Sequence, residues 1–96
     1  MSFSIGATAN KKDEVRAAIA QKFDDEVVKY QTVHAKDRAL VLATLDAQLH
    51  LLHDEPHRTF CVTVWGSLSY IYGEDGGERI EGVTTHCEIN RGIRAE

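Results

Sequence analysis

The sequence predicts an α+β fold in which two helices pack on one face of an antiparallel β-hairpin sheet, and an N-terminal segment can add a third strand. Apolar residues alternate with period two over residues 59–72, and a second alternating run extends to residue 91. Between residues 11 and 53, apolar residues recur at spacings of three and four, as on helices. A chain of 96 residues is expected to form one domain, 1–96.

The hairpin is the part of the chain whose geometry the sequence constrains most. Asp75-Gly76 is a strong two-residue turn signal, because both central positions of such a turn need positive φ. A turn there pairs Tyr72 with Arg79 and sets the register of the whole hairpin. The resulting pairs are Leu68–Val83, Val64–Cys87 and Val62–Ile89 on an apolar face, and Ser67–Thr84, Trp65–His86 and Thr63–Glu88 on the opposite face. Gly66 and Gly82 are candidates for bends or bulges.

The N-terminal segment, residues 2–8, alternates weakly, with Phe3, Ile5 and Ala7 on one side. This pattern predicts a short strand that adds to an edge of the hairpin. The alternative is a disordered start, since the first residues of a domain are often poorly ordered.

The first helix is predicted from about residue 11 to about residue 30. Asn10 is a good N-cap residue, and acidic residues in the first turn favour the helix dipole. The apolar stripe that would face the sheet consists of Val15, Ile19, Phe23, Val27 and Tyr30.

The second helix is predicted from about residue 33 to about residue 53, with Thr32 as its cap. One apolar stripe consists of Leu42, Leu45, Leu49 and Leu52, and a second, nearly opposite, consists of Val33, Leu40, Ala47 and Leu51. A helix that is apolar on two sides is buried on both. We therefore predict that the second stripe is an oligomer interface, and a two-fold dimer is the expected assembly. The pattern leaves open whether the chain breaks near residues 31–36 or continues as one bent helix.

Composition excludes several classes of protein. The net charge of −4, without a cluster of Lys and Arg, argues against general nucleic-acid binding. No apolar run approaches the 18 residues of a membrane span, so we expect no membrane association. Cys61 and Cys87 fall on opposite faces of the hairpin, so we expect two reduced thiols and a cytoplasmic location. Nothing in the sequence indicates a cofactor.

The polar face of the hairpin is the candidate binding surface. A Trp among small hydroxyl residues is a reasonable platform for a protein partner or a ring-shaped ligand. The predicted partner-binding residues are Thr63, Trp65, Ser67, Thr84, His86 and Glu88, and Cys61 and Asn90 share their face. The structural alternative is that the first helix or a symmetry mate covers this face.

Two groups of residues have side chains suited to a chemical site, and both have a simpler explanation. His50, His53 and His57, with Asp54, could bind a metal ion only if the chain folds back after Pro56, and their spacing matches no zinc-helix motif. Histidines at a helix C-terminus also favour the helix dipole. Cys61, His86 and Glu88 have the residue types of a nucleophile, a base and an orienting acid, but no oxyanion hole accompanies them. We expect neither a metal site nor catalysis.

The sequence thus predicts a small non-enzymatic interaction protein. We expect its partner to be another protein, which the sequence does not identify. We also expect the chain to be a small accessory protein of bacterial or bacteriophage type. The alternatives are a small-molecule-binding module at Trp65 and His86, or a metal site at His50, His53 and His57.

Overall fold

The computed structural model describes residues 1–72 and 78–93, and the side chains of residues 71, 72 and 78–81 lie outside this description. Strand β1 (Ser2–Ala9) is followed by helix α1 (Lys12–Glu26), a 3-10 turn (Val28–Tyr30), helix α2 (Ala35–Leu49), strand β2 (Arg58–Tyr72) and strand β3 (Glu78–Ile93). The strands form an antiparallel sheet in the order β1-β2-β3. This architecture confirms the predicted α+β class, including the third strand at the N-terminus.

The register of the hairpin is the predicted one from Arg58 to Ser69, where Trp65 pairs with His86. Beyond that point the pairing shifts by one residue, between Ser69 and Tyr70. Tyr72 therefore pairs with Glu78, and the predicted pair of Tyr72 with Arg79 is wrong. A bulge accommodates the extra residue of β3 beside Gly82, one of the two glycines at which an irregularity was expected. The predicted Asp75-Gly76 turn lies outside the described residues.

The hydrophobic core lies on a single face of the sheet, beneath both helices. α1 packs mainly on β1, and α2 packs mainly on β3, so the helices lie side by side with little contact between them. Two ion pairs link the helices: Arg38 with Asp24 at 2.7 Å and Arg16 with Asp46 at 3.2 Å. The core consists of Phe3, Ile5, Val15, Ile19, Phe23, Val27, Val41, Leu45, Leu49, Phe60, Val62, Val64 and Leu68. Ile89, predicted to join this group, is partly buried against it.

α1 begins at Lys12, and its N-cap residue is Lys11 rather than the predicted Asn10. No side chain of the N-cap residue caps the helix. Instead, the Lys12 backbone N–H donates to Oδ1 of Asp54 at 2.9 Å, so the first turn is capped by a carboxylate 42 residues away. The helix also ends earlier than predicted. Tyr30, in the 3-10 turn, is 72% exposed and does not extend the buried stripe.

α2 begins at Ala35, with His34 as its N-cap, so Thr32 is not the cap. Gln31 and His34 have extended backbone conformations, which separate two distinct helices and answer the question that the sequence left open. α2 ends at Leu49, four residues before the predicted end, and His50 is its C-cap. Residues 51–57 form the loop to β2.

Arg91 fixes this loop to the end of the sheet. Its guanidinium carbon lies 3.9 Å from the centroid of the Phe60 ring, its cross-strand partner. Nη1 donates to the His53 carbonyl oxygen at 3.0 Å, and Nη2 lies 2.9 Å from Oε2 of Glu55. This end of the hairpin belongs to the sheet through Ile93.

Cys61 and Cys87 are free, and they lie on opposite faces of the sheet as predicted. Across the residues that the structure describes, neither helix has the length and apolar character needed to cross a membrane.

Candidate functional site

The candidate site is the side of the sheet opposite the helices, which we call the outer face. The two strand registers align its side chains in four rows, each with one residue from β1, one from β2 and one from β3. The rows are Ser2–Ser67–Thr84, Ser4–Trp65–His86, Gly6–Thr63–Glu88 and Thr8–Cys61–Asn90. All six residues predicted from the sequence as a partner-binding surface therefore share this face.

Trp65 occupies the centre of the outer face. It is the middle residue of β2, which is the middle strand of the sheet. Its indole stacks on the imidazole of His86, with ring centroids 5.6 Å apart and an interplanar angle of 25°. The predicted cross-strand contact is thus confirmed. The side chain remains 37% exposed, so the sheet presents a fixed aromatic surface to solvent.

Hydroxyl groups next to Trp65 are engaged with each other. Ser67 Oγ and Thr84 Oγ1 are 3.0 Å apart, and the Ser67 backbone N–H donates to the same Thr84 oxygen at 3.1 Å. The strands approach very closely here. A Cβ atom added at Gly66 would overlap the Thr84 carbonyl group. Gly66 thus allows the close strand contact that orients Trp65 and Ser67.

A depression of about 360 Å³ lies on the β1 side of the outer face. It is lined by Gly6, which has no side chain, and by Ala7, Thr8, Lys22, Cys61, Val62, Thr63 and Asn90. Lys22 reaches it from α1, around the β1 edge, and its Nζ donates a hydrogen bond to the Gly6 carbonyl oxygen. The depression therefore combines an ammonium group with neutral polar side chains.

Both edges of the sheet carry a helix side chain bound to a backbone carbonyl. Lys22 binds the Gly6 carbonyl of β1, and Nε2 of Gln48 donates to the Cys87 carbonyl oxygen of β3 at 2.7 Å. Free carbonyls on an edge strand are the groups that recruit a further strand. These two are already satisfied within the chain, which disfavours strand addition at these points.

The predicted oligomer interface on α2 is largely exposed. Leu40 and Leu51 have exposed fractions of 45% and 76%, and Ala47 is exposed beside them. Val33 differs from these three, because it is partly buried against the core in the segment before α2. An outward apolar strip, the α2 strip, thus consists of Leu40 and Ala47 on α2 and of Leu51 in the loop that follows it.

The three histidines considered as metal ligands do not form a joint site. His50 caps the C-terminus of α2, His53 lies in the following loop, and His57 has a φ of 66° in the turn before β2. Within residues 1–72 and 78–93, no three His, Cys, Asp or Glu side chains are arranged to hold a metal ion.

Cys61, His86 and Glu88 are not brought together as a catalytic group either. Cys61 and His86 lie two rows apart on the outer face, a separation of about 13 Å along the strands. The Cys61 sulfur instead lies 3.8 Å from Oγ1 of Thr59. Cys87 is half-buried on the core side, and burial raises the pKa of its thiol.

The contribution of β1 and α1 to the outer face was not foreseen from the sequence. Ser4, Gly6 and Thr8 join it because β1 pairs with β2, and Lys22 joins it by reaching around the sheet edge. A glycine within an alternating strand pattern was the available signal, since it often marks a close approach of another group. The position of Lys22 on the apolar stripe of α1 was a second signal.

No protein-family model matches this chain, and neither a curated protein nor a solved structure matches it.

Proposed function

We propose that this chain is a small non-enzymatic protein-interaction module whose contact surface is the outer face of the sheet. The observation that carries the proposal is the position of Trp65. The only tryptophan of the chain lies at the centre of a sheet face that neither helix covers, held in place by its stack on His86.

The composition of the outer face supports a protein contact. Glu88 is the only residue in the four rows with a formal charge when histidine is neutral, and the residues around it are small or polar. The centres of protein interfaces are depleted of charged residues and enriched in aromatic ones, and tryptophan is prominent among the residues that dominate binding energy. A face with tryptophan at its centre and a single formally charged residue in its four rows fits this pattern.

The covered carbonyls at the sheet edges support a contact through the face rather than through an edge. Lys22 and Gln48 satisfy one backbone acceptor on each edge strand. A partner strand adding to either edge would have to displace one of these side chains.

Affinity capture from the native cell, with three forms of the protein, tests the proposal. Trp65→Ser removes the central aromatic, and Tyr30→Ser is the matched control because Tyr30 is an exposed aromatic on the helix side. The proposal predicts a partner that the wild type and Tyr30→Ser retain and that Trp65→Ser loses. A partner retained equally by all three would contradict it.

Self-association into a dimer is part of the proposal, and two surfaces are candidates. The α2 strip offers Leu40 and Leu51, but isolated exposed leucines are common on monomeric proteins. The outer face is larger and contains Trp65. Light scattering coupled to size exclusion, on Leu40→Glu with Leu51→Glu and separately on Trp65→Ser, shows which change returns a dimer to 10.7 kDa.

A module that binds a ring-shaped small molecule is the second candidate function. The specific observation is the stack of Trp65 on His86, with ring planes inclined at 25°, which presents an aromatic surface for a further ring. A thermal-shift screen that finds a ligand stabilising the wild type but not Trp65→Ser would favour it.

The proposed location is the cytoplasm. Its support is the pair of free thiols on opposite faces of the sheet, which suits a reducing compartment.

A further inference from the structure

We infer that the occupant of the outer face is a second copy of this chain, packed about a two-fold axis that runs parallel to β2 and passes over Trp65. This inference rests on the proposed use of the outer face as a contact surface. It adds the identity of the occupant, its orientation and the polar contact that fixes it.

The first argument is a gradient of side-chain size across the sheet. In three of the four rows the β1 residue is smaller than the β3 residue: Ser2 against Thr84, Ser4 against His86, and Gly6 against Glu88; in the fourth, Thr8 and Asn90 are of similar size. A two-fold axis parallel to β2 lays β1 of one copy over β3 of the other. In those three rows each small residue then faces a larger one, so the surface is complementary to itself.

The second argument is the fit of Glu88 into the depression of the other copy. Glu88 and Gly6 lie in the same row, so the axis places the Glu88 side chain over the position where Gly6 leaves space. Lys22 borders that depression with its ammonium group. The carboxylate of one copy therefore meets the opposite charge of its partner, twice in each dimer.

An axis perpendicular to the strands gives a poorer match. It would lay β3 over β3 and β1 over β1, with Glu88 facing Thr84 of the partner and the small β1 residues facing each other. The large residues would then collide, and the depressions would stay empty. Both axes bring the two Trp65 side chains together at the centre, so the size and charge of the flanking residues select the axis parallel to β2.

The size of the contact indicates a weak interface. Four rows of three strands cover about 27 by 14 Å, or about 400 Å² of each copy in projection. Twice that area is at the low end for specific complexes. We therefore expect a weak, reversible dimer rather than a permanent one.

Charge exchange tests the inference. Glu88→Lys and Lys22→Glu should each raise the dissociation constant of the dimer at least about tenfold, because each places like charges together. The double variant restores the opposite pair and should return to within about threefold of the wild type. Glu26→Lys is the same charge reversal at an exposed site on the helix side, and it should leave the dissociation constant of the dimer unchanged. The measurement is sedimentation equilibrium from 10 µM to 1 mM protein, with far-UV circular dichroism to verify folding.

Fluorescence of Trp65 provides a second readout, since Trp65 is the only tryptophan. Acrylamide quenching of its emission should decrease as the dimer forms. A wild-type mass of 10.7 kDa throughout the concentration range would overturn the inference. So would a dimer in which quenching is unchanged, or one that the two single charge reversals do not weaken.

These failures are distinguishable from failure of the proposed function. A wild type that remains monomeric but captures a partner through Trp65 refutes the second copy and leaves the protein-binding surface intact. A monomer whose capture is indifferent to Trp65→Ser refutes both.

Discussion

The hydroxyl of Tyr70 donates a hydrogen bond to Oδ2 of Asp37 at 2.7 Å, joining the hairpin to the first turn of α2 across 33 residues. Asp37 is only 5% exposed. The same Tyr70 oxygen accepts a hydrogen bond from the His34 backbone N–H at 3.3 Å. The imidazole ring of His34 and the phenol ring of Tyr70 also contact each other edge to face. Tyr70 therefore provides a hydrogen-bond donor to a buried carboxylate and an acceptor to the backbone N–H of the N-cap residue of α2.

Tyr70→Phe should lower the free energy of unfolding by about 1–3 kcal/mol, because it leaves the buried Asp37 carboxylate without this donor. The measurement is urea denaturation followed by circular dichroism. Tyr30→Phe is the control, since Tyr30 is 72% exposed, and it should change stability by less than about 0.5 kcal/mol. Equal effects of the two substitutions would mean that the hydrogen bond does not stabilise the fold.

Gly66→Ala should lower the free energy of unfolding by about 2 kcal/mol or more, because the new Cβ would overlap the Thr84 carbonyl. Gly82→Ala is a matched control in the neighbouring strand, where no described atom outside the adjacent residues lies within 4 Å of a Cβ at that position. Thermal and urea unfolding of both variants decide the point. A Gly66→Ala protein as stable as Gly82→Ala would contradict the close strand contact described here.

The ion pair of Asp24 with Arg38 predicts a dependence of stability on pH. Hydrogen bonds from Arg38 hold the pKa of Asp24 below its usual value, although burial opposes this effect. A carboxyl group with a lowered folded pKa stabilises the fold above its unfolded pKa, about 3.9, and this contribution is lost as pH falls through the folded value.

Asp24→Asn should therefore cost about 0.5 kcal/mol at pH 7, a modest amount because both side chains are more than a third exposed. Below the folded pKa of Asp24 the difference from the wild type should disappear. Asp25→Asn, whose side chain accepts a hydrogen bond from Gln21, provides the comparison one residue away. A cost for Asp24→Asn that is the same at pH 7 and in acid would refute the assignment.

Arg91→Met should destabilise the protein by about 1–3 kcal/mol, because it removes the contact with the Phe60 ring, the bond to the His53 carbonyl and the pairing with Glu55. Arg91→Lys retains the charge but not the planar contacts, and it should recover less than half of the loss. Hydrogen exchange of residues 51–57 is the more local measurement. Unchanged protection there in Arg91→Met would show that Arg91 does not anchor the loop.

The sequence was sufficient to predict the two faces of the hairpin and most of its register. Phe60, Val62 and Val64 alternate with polar residues, and a slip by one residue would have moved them to solvent. The shift near Gly82 was not placed, because counting back from a turn assumes that neither strand contains an extra residue. The alternation of apolar residues supports the register from Arg58 to Ser69, which contains the correct pair of Trp65 and His86, whereas Tyr72 lies on the other side of the shift.

Helix ends were harder to predict because their partners are distant in sequence. Asn10 is a plausible cap on local grounds, but Asp54 is the residue that binds the first turn of α1.

Only part of the candidate site could be predicted from the sequence. The hairpin provides Trp65, His86 and Glu88, whereas Gly6 and Lys22 join it through strand pairing and a long side chain, for which the sequence holds only weak local signals.

The central claim, that proteins contact this chain through the outer face, is tested most directly by photo-crosslinking in the native cell. A benzophenone amino acid replaces Thr63 on the outer face in one variant and Ala43, exposed on α2, in another. The account predicts protein adducts, with a second copy or another partner, at position 63 and none at position 43. Adducts at position 43 alone would contradict it and would make α2 the contact surface.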